Sequence, residues 1–272
     1  MASQEPASTE RGGDEINGRG PLHSLLNGIN VLGAFSVTEP LLGVNEIARR
    51  VRLHKSTVSR ILSTLEQVDL VERDEISGRF RLGIGVIGLA GPLLANLDVR
   101  RVAYTALEKL VELTGETAAL AMWNGQESIV VEQIPSPRQV KHTTPLGVRF
   151  TKAHSASVQV FLSELPETDV RVLLRQGHIA TGPGGEEELF ERLTRVRGQG
   201  FAINDGETDP EELSLSAPVR DHRNSVAGTI LLSVPRSRCT PFLSNDYTKR
   251  VTDTARQVSA QLGAAVQEPA PD

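Results

Sequence analysis

The fold is decided by residues 44–65, which read VNEIARRVRLHKSTVSRILSTL. Their apolar spacing predicts a short helix over residues 44–51, a tight connection at residues 52–54 and a second helix over residues 55–68. The second helix keeps one apolar stripe, formed by Val58, Ile61, Leu62, Leu65 and Val68. Two helices joined by a tight turn, the second beginning with polar and basic residues, are typical of a helix-turn-helix.

The flanking segments extend this motif to a winged helix-turn-helix domain over residues 21–84. Residues 70–73 and 79–82 alternate in polarity around a turn at residues 74–78, which predicts a β-hairpin in the position of a wing. Upstream, apolar residues at helical spacing predict a first helix over residues 22–35, and Pro40 follows its end. Residues 1–20 are rich in Ser, Glu, Gly and Pro and are predicted to be a disordered tail.

Basic and hydroxyl side chains collect where the second helix begins. A solvated surface crossed by ion pairs is the simpler interpretation, because Glu46, Glu66 and Glu72 are near in sequence. The helix-turn-helix context favours DNA instead, since the first turn of such a helix enters the major groove and contacts bases and phosphates. The candidate DNA contacts are Lys55, Ser56, Thr57, Ser59 and Arg60 on the helix and Arg79 and Arg81 on the hairpin.

The rest of the chain predicts linker helices over residues 85–114 and an α+β domain over residues 115–266. Asn124-Gly125 separates two alternating runs, residues 118–123 and 128–134, and predicts a hairpin. A further strand is expected at residues 140–144. Helical patterns at 155–164, 169–176 and 186–197 precede strands at 201–204, 213–220 and 226–234 and a last amphipathic helix. Strands, then helices, then strands imply an antiparallel sheet flanked by helices, followed by a short tail at residues 267–272.

Composition excludes several classes of protein. The formal net charge is −5, so any DNA contact must come from a local basic surface. The single cysteine, Cys239, cannot form an intramolecular disulfide, and no stretch approaches the roughly 20 apolar residues that span a bilayer. The N-terminal residues are polar and lack the apolar core of a secretory signal. We therefore expect a cytoplasmic protein with no membrane partner.

Several motifs together resemble the IclR family of bacterial transcriptional regulators. They are LGVNEIA at 42–48, KSTVSRILSTL at 55–65, GRFRLG at 78–83, GQGFA at 198–202, NDGE at 204–207, APVRD at 217–221 and ILLSVP at 230–235. The resemblance covers about residues 22–266. It implies a GAF-like effector domain, a homodimer or homotetramer, and binding to a double-stranded DNA operator that a small carboxylate effector controls.

The resemblance also implies an effector site. Matching positions in this chain are Phe150, Ala156, Ser157, Asn204, Ser214, Leu231 and Ser233. His142 and Trp123 are added as residues of predicted strands that could face the pocket. A helix beginning near Ser155 would offer free N–H groups to a carboxylate. The chain departs from the family pattern in FTKAHSASVQ at 150–159, where the histidine lies one position late and Val-Gln replaces a Gly-Lys pair. The pocket is therefore expected to differ from that of other members.

Other patterns do not indicate enzymatic chemistry. GIGVIG at 83–88 matches a dinucleotide-binding pattern, but it follows an exposed wing and not a buried parallel strand, so we interpret it as chance. The acidic run at 204–212 lacks the ligand spacing of a calcium loop, and the histidines and the cysteine lack zinc spacing. We expect no cofactor, no metal and no catalytic site. A ligand-gated regulator, acting as a repressor, is the leading hypothesis; the alternatives are an enzyme or sensor with a vestigial DNA module, or a constitutive architectural DNA binder.

Overall fold

The computed structural model describes residues 23–36, 38–95, 98–182 and 184–265 of the 272-residue chain, without the side chains of residues 92–95. Leu22 and the tails predicted at residues 1–20 and 267–272 lie outside the described residues. The chain divides into two compact units, residues 1–91 and 92–272, and each is described by itself. Among the described helices, none has the length and hydrophobicity needed to cross a bilayer.

The first unit is a winged helix-turn-helix, as the sequence predicts. Its elements are α1 (His23–Leu32), α2 (Val44–Val51), α3 (Lys55–Glu66), β1 (Val71–Arg73), β2 (Phe80–Leu82) and the start of α4 (Gly85–Ala95). The two strands pair antiparallel. The core is formed by the apolar faces of the three helices and the hairpin, with Val31, Leu42, Ile47, Val58, Leu62, Val71 and Phe80 buried. Arg52 ends α2 in the left-handed conformation and turns the chain towards α3.

Gly83 and Gly85 allow the wing to return against the end of α3. The N–H groups of Gly83 and Gly85 donate to the carbonyl oxygens of Leu70 and Asp69, each at 2.9 Å. A Cβ at Gly83 would lie 2.1 Å from the Asp69 carbonyl oxygen, and one at Gly85 would lie 2.8 Å from it. The first two of the three glycines in the GIGVIG stretch therefore serve this close backbone approach.

The second unit contains one six-stranded sheet. Its strands are β3 (Thr117–Trp123), β4 (Ser128–Ile134), β5 (Arg149–Phe150), β6 (Ala202–Asp205), β7 (Glu212–Arg220) and β8 (Val226–Pro235). Their order is β5-β4-β3-β8-β7-β6, and every neighbouring pair is antiparallel. The helices are α5 (Asp98–Thr114), α6 (Ala156–Glu164), α7 (Glu167–Arg175), α8 (Gly185–Gln199) and α9 (Pro241–Gln261). The predicted α+β class is confirmed.

Helices cover both faces of this sheet. On one face, α5 and α9 pack against alternate residues of the central strands, including Leu120, Leu215, Ile230 and Leu232. This packing makes α5, which lies in the region expected to link the two domains, part of the core of the second unit. On the other face, α6 contacts β4, β6, β7 and β8, and it packs in turn against α8. This second face carries the candidate effector residues.

The strand predicted at residues 140–144 is wrong. This segment is irregular, and the edge partner of β4 is β5 together with Val148, whose carbonyl oxygen accepts from Val130 N. Side chains satisfy the backbone of residues 140–144 instead: Thr117 Oγ1 donates to the His142 carbonyl oxygen at 2.6 Å, and Thr144 N donates to Gln133 Oε1 at 2.5 Å. A segment whose polar backbone groups are satisfied by side chains gains little from a strand partner.

Candidate functional site

The first turn of α3 is exposed and polar. His54 precedes it in an extended conformation, and its Nδ1 accepts from Ser56 N at 3.3 Å. Val58 and Leu62 are buried in the core, so the opposite side of the helix faces solvent. All five residues predicted on this helix are exposed: Lys55, Ser56, Thr57, Ser59 and Arg60. The free N–H groups and dipole of a helix N-terminus suit a phosphate, and the hydroxyl and basic side chains suit base edges and phosphates.

The two wing arginines differ from the α3 residues because both already have partners. Arg81 binds Glu72 across the hairpin, with Nη2 2.7 Å from Oε1, and this hydrogen bond lowers the pKa of Glu72 and raises that of Arg81. Arg79 reaches Glu46 Oε1 at 3.4 Å. Lys55 and Arg60 form no ion pair with any residue that the structure describes. DNA contact by Arg79 or Arg81 would therefore require an exchange of partners.

Six of the nine candidate effector residues share the face of the sheet that α6 covers. Phe150 pairs with Ser128, which pairs in turn with Trp123. Residues directly opposite one another in adjacent strands project to the same face, and so do residues two apart in one strand. By this register, the face carries Trp123, Phe150, Asn204, Ser214, Leu231 and Ser233.

Ser157 lies in the first turn of α6, above this face. Ser128 Oγ donates to Ser157 Oγ at 2.9 Å, and both residues are fully buried. Ser155, which precedes the helix, makes no side-chain cap hydrogen bond. The first N–H groups of a helix have no intrahelical acceptor, so the N–H groups at Ala156 and Ser157 can donate to an anion.

A polar row crosses four strands on the same face. Asn204 lies opposite Ser214, Ser214 opposite Ser233, and Ser233 opposite Thr117. Asn204 Oδ1 accepts from Glu207 N at 3.0 Å, and Ser233 Oγ lies 3.2 Å from Thr144 Oγ1. The sequence predicted three of these four residues as the polar end of the effector site, and the structure brings them together. Thr117 was missed.

The apolar part of this face surrounds Leu231, which packs with Ala119, Ala121, Val130 and Phe150. Trp123 stacks on Phe161 of α6 with ring centroids 5.4 Å apart, so it packs between the sheet and α6. His142 is not a strand residue. Its Nε2 lies 3.0 Å from the carbonyl oxygen of Glu211, near the start of β7.

Two buried hydroxyl groups were also missed. Ser216 Oγ and Thr229 Oγ1 have no hydrogen-bond partner among the residues that the structure describes, and both residues are fully buried. Ser216 lies opposite Leu231, on the face that carries the candidate effector residues. The sequence held one signal for Ser216: Ser214 and Ser216 alternate with apolar residues along β7, which places both serines on the same face of the strand. An unsatisfied buried hydroxyl is costly, so these atoms are candidate partners for a bound polar group.

A cavity of about 510 Å³ lies elsewhere in the second unit, against β7, α8 and α9. Three arginines line it. Arg197 donates to the Ser163 carbonyl oxygen at 2.6 Å, Arg220 pairs with Glu164 at 2.6 Å, and Arg256 pairs with Asp253 at 2.6 Å. Because these guanidinium groups already have acceptors, we consider the cavity less suited to a carboxylate than the α6 face, which is the face of the sheet that α6 covers.

Two family models match the chain. The IclR helix-turn-helix domain matches residues 24–75, and the bacterial transcriptional regulator IclR C-terminal domain matches residues 92–260, more than half of the chain. The chain belongs to the IclR family. This IclR-family chain therefore contains both a DNA-binding domain and the C-terminal domain of these transcriptional regulators.

Similar proteins agree with this assignment. The HTH-type transcriptional regulator KipR of Bacillus subtilis is 27% identical over 83% of this chain and 91% of its own length. The HTH-type transcriptional repressor AllR of Escherichia coli K12 is 28% identical over 88% of this chain and 90% of its own. An IclR homologue from Microbacterium hydrocarbonoxydans, crystallised with 4-hydroxybenzoate, has a similar fold, with a TM-score of 0.73 and 21% identity over 88% of this chain and 98% of its own.

Proposed function

We propose that this protein is a ligand-gated transcriptional repressor without enzymatic activity. It binds its operator through α3 and releases the operator when a small monocarboxylate binds the α6 face of the second unit. The observation that carries the proposal is the combination, in one IclR-family chain, of an exposed basic helix start and a buried polar sheet face beneath a helix N-terminus. AllR is named a repressor, which supports the sign of regulation.

The DNA contact is argued from charge and exposure. Lys55 and Arg60 lie on the exposed side of α3 and form no ion pair with the described residues, so their charges are available to DNA without the loss of an existing contact. Ser56, Thr57 and Ser59 add exposed hydroxyl donors and acceptors on the same helix. Arg79 and Arg81 would add contacts only by leaving Glu46 and Glu72.

The effector contact is argued from the arrangement around α6. A carboxylate at the N–H groups of Ala156 and Ser157 would be stabilised by hydrogen bonds and by the positive end of the helix dipole. Leu231 and Phe150 would pack against the body of the ligand, and Asn204, Ser214 and Ser233 would meet its far polar end. An apolar site with a few fixed polar groups is the usual form of a small-molecule pocket. The 4-hydroxybenzoate bound by the Microbacterium homologue is an acid of this class.

A symmetric homo-oligomer, a dimer or a tetramer, completes the proposal. One short helix contacts too few base pairs to specify a site, and a two-fold dimer doubles the contact. The outer side of α1 supports such an assembly. Leu25, Leu26 and Ile29 are 61%, 42% and 56% exposed, which places three large apolar side chains together on one short helix. Exposed apolar patches of this kind mark interaction surfaces.

Two measurements test the function. Footprinting on the DNA upstream of the protein's own gene should reveal a protected pseudo-palindrome, with half-sites about 10 to 10.5 base pairs apart or a multiple of that spacing. A thermal-shift screen of aromatic and aliphatic acids should then find one that raises the unfolding temperature, because a ligand that binds only the folded state stabilises it. Release of the operator by that acid supports a ligand-gated repressor. Sequence-specific binding that no acid affects would contradict it, and binding without sequence preference would favour an architectural role.

A further inference from the structure

We propose that His142, Asp209 and Glu212 form a binding site for a divalent transition-metal ion such as Zn²⁺. One ligand atom from each side chain lies within 4.8 Å of the others. His142 belongs to the segment between β4 and β5, Asp209 to the loop after β6, and Glu212 begins β7. The fold thus brings His142 beside two carboxylates that lie 67 and 70 positions later in the sequence, which is why ligand spacing did not reveal the cluster.

A hydrogen bond orients the His142 ring for metal binding. His142 Nε2 lies 3.0 Å from the Glu211 carbonyl oxygen, which can only accept, so Nε2 carries the proton. The lone pair of the neutral ring then lies on Nδ1, the nitrogen that would bind the ion. Histidines that bind metals usually donate their other ring N–H to a carbonyl or carboxylate oxygen, and this contact fixes the tautomer and the orientation of the ring.

The charges around the three residues also favour a cation. Two other acidic residues of the same region have arginine partners: Asp205 pairs with Arg236 at 2.7 Å, and Glu207 pairs with Arg192 at 2.7 Å. Asp209 and Glu212 pair with no cationic side chain among the residues that the structure describes. Two neighbouring carboxylates without a positive partner repel each other, and a bound dication would remove that repulsion.

The donor set selects the class of ion. Imidazole nitrogen suits Zn²⁺ and other transition metals, whereas Mg²⁺ and Ca²⁺ prefer oxygen ligands only. One histidine and two carboxylates provide three ligands, and water would complete a tetrahedral site. Asp209 Oδ1 already accepts from Glu211 N at 3.0 Å, which holds this carboxylate in place and leaves Oδ2 for the ion. The ion would join the 135–148 segment to the β6–β7 loop.

The test is calorimetric titration of the full chain with Zn²⁺ after treatment with a chelator. The wild type should bind one equivalent at this site and unfold at a higher temperature with the ion than without it. His142→Ala and Asp209→Asn should each weaken the affinity at least about tenfold. Glu211→Gln is the matched control, because it removes an acidic side chain of the same loop that is not among the three ligands.

Three outcomes would overturn the proposal. The first is a wild type that binds no Zn²⁺, and the second is Glu211→Gln losing affinity as strongly as Asp209→Asn. The third is both ligand variants binding Zn²⁺ as tightly as the wild type, which would place the ion elsewhere. If His142→Ala fails to fold, the comparison of Asp209→Asn with Glu211→Gln decides alone, since both of these residues are exposed. Co²⁺ adds a second readout, because its visible absorption should appear in the wild type and be lost in Asp209→Asn.

Discussion

Arg238 holds the carboxylate of Glu116 with two hydrogen bonds, Nε to Oε1 at 3.0 Å and Nη2 to Oε2 at 2.6 Å. Glu116 is fully buried just before β3, and Arg138 Nη1 donates to the same carboxylate at 2.5 Å. Arg238 also donates to the Val140 carbonyl oxygen at 2.9 Å. The buried charge therefore connects three segments of the second unit: the start of β3, the chain after β4 and the chain after β8.

Removing Arg238 should destabilise the second unit strongly. Breaking a buried ion pair typically costs about 3–5 kcal/mol when the remaining charge is left unpaired. Arg238→Ala leaves the buried Glu116 carboxylate with Arg138 alone, so we expect a loss below that range but above that of an exposed pair. Arg236→Ala is the matched control, because its ion pair with Asp205 has both side chains about half exposed, and exposed pairs contribute about 0–1 kcal/mol. Chemical denaturation of each variant gives the free energy of unfolding. If Arg238→Ala and Arg236→Ala lower the free energy of unfolding equally, the ion pair of the buried Glu116 contributes no more than an exposed pair, which would contradict this prediction.

Lys55→Ala and Arg60→Ala should each weaken operator binding and leave the fold intact, because both side chains are exposed on α3. A residue that contacts a phosphate should also flatten the slope of log K against log salt by about 1 when it is removed. Fluorescence anisotropy measures both quantities. Arg195→Ala, which removes an exposed arginine on α8, controls for the loss of one positive charge. If both α3 variants bind like this control, α3 is not the DNA-contacting helix.

The sequence predicted most helices because each buries one side, so that its apolar residues recur about every 3.6 positions, and it predicted the strands β7 and β8, which are buried on both sides, from two runs rich in apolar residues around a turn. The two helices of the DNA-binding motif are examples of the first kind, and the β7–β8 hairpin is an example of the second. The strand expected at residues 140–144 failed because apolar spacing does not report whether a backbone has a partner. There, Thr117 and Gln133 side chains satisfy the backbone that a neighbouring strand would otherwise pair.

The candidate site was predictable only in part. Asn204, Ser214 and Ser233 came from family motifs, and the register of the sheet places them in one row. Ser216 and Thr229 were missed because burial without a hydrogen-bond partner is a property of three-dimensional packing. The cluster around His142 was missed for the same reason, since His142 lies 67 positions before Asp209 and only the fold brings it beside Asp209 and Glu212.

The glycines at 83 and 88 should respond in opposite ways to alanine. Gly83→Ala places a Cβ 2.1 Å from the Asp69 carbonyl oxygen, so the wing must move, and the first unit should lose stability and DNA affinity. Gly88→Ala, in α4, meets no other part of the described structure within 4 Å beyond its own helix backbone and chain neighbours, and it should stabilise the helix by about 0.5–1 kcal/mol. Thermal unfolding measures both. A Gly83→Ala variant as stable as the wild type would show that the backbone approach of Gly83 to the Asp69 carbonyl oxygen does not require glycine.

Ile29→Glu should shift the protein towards smaller assemblies. It places a charge in the exposed apolar group on α1, where a partner's apolar surface would have to bury it unpaired. Light scattering measures the mass, and operator binding should weaken in parallel because a single winged helix contacts one half-site. Lys109→Glu, on α5, is the exposed-charge control. An unchanged mass for Ile29→Glu would show that α1 is not an assembly surface.

The central claim is that an acid bound at the start of α6 controls DNA binding by α3. Ser157→Asp tests it, because a carboxylate at this position would repel the carboxylate of the effector. Ser157→Ala is the matched control: it also loses the hydrogen bond from Ser128 but adds no charge and keeps the backbone N–H groups. A retained unfolding transition and retained operator affinity confirm that each variant is folded.

The most direct measurement is the anisotropy of labelled operator DNA during titration with the acid that stabilises the wild type. The account predicts release of DNA by the wild type and by Ser157→Ala, whereas Ser157→Asp binds the operator normally and is not released. Release of Ser157→Asp at the same acid concentration as the wild type would contradict the account and place the effector elsewhere, for example in the cavity lined by Arg197, Arg220 and Arg256.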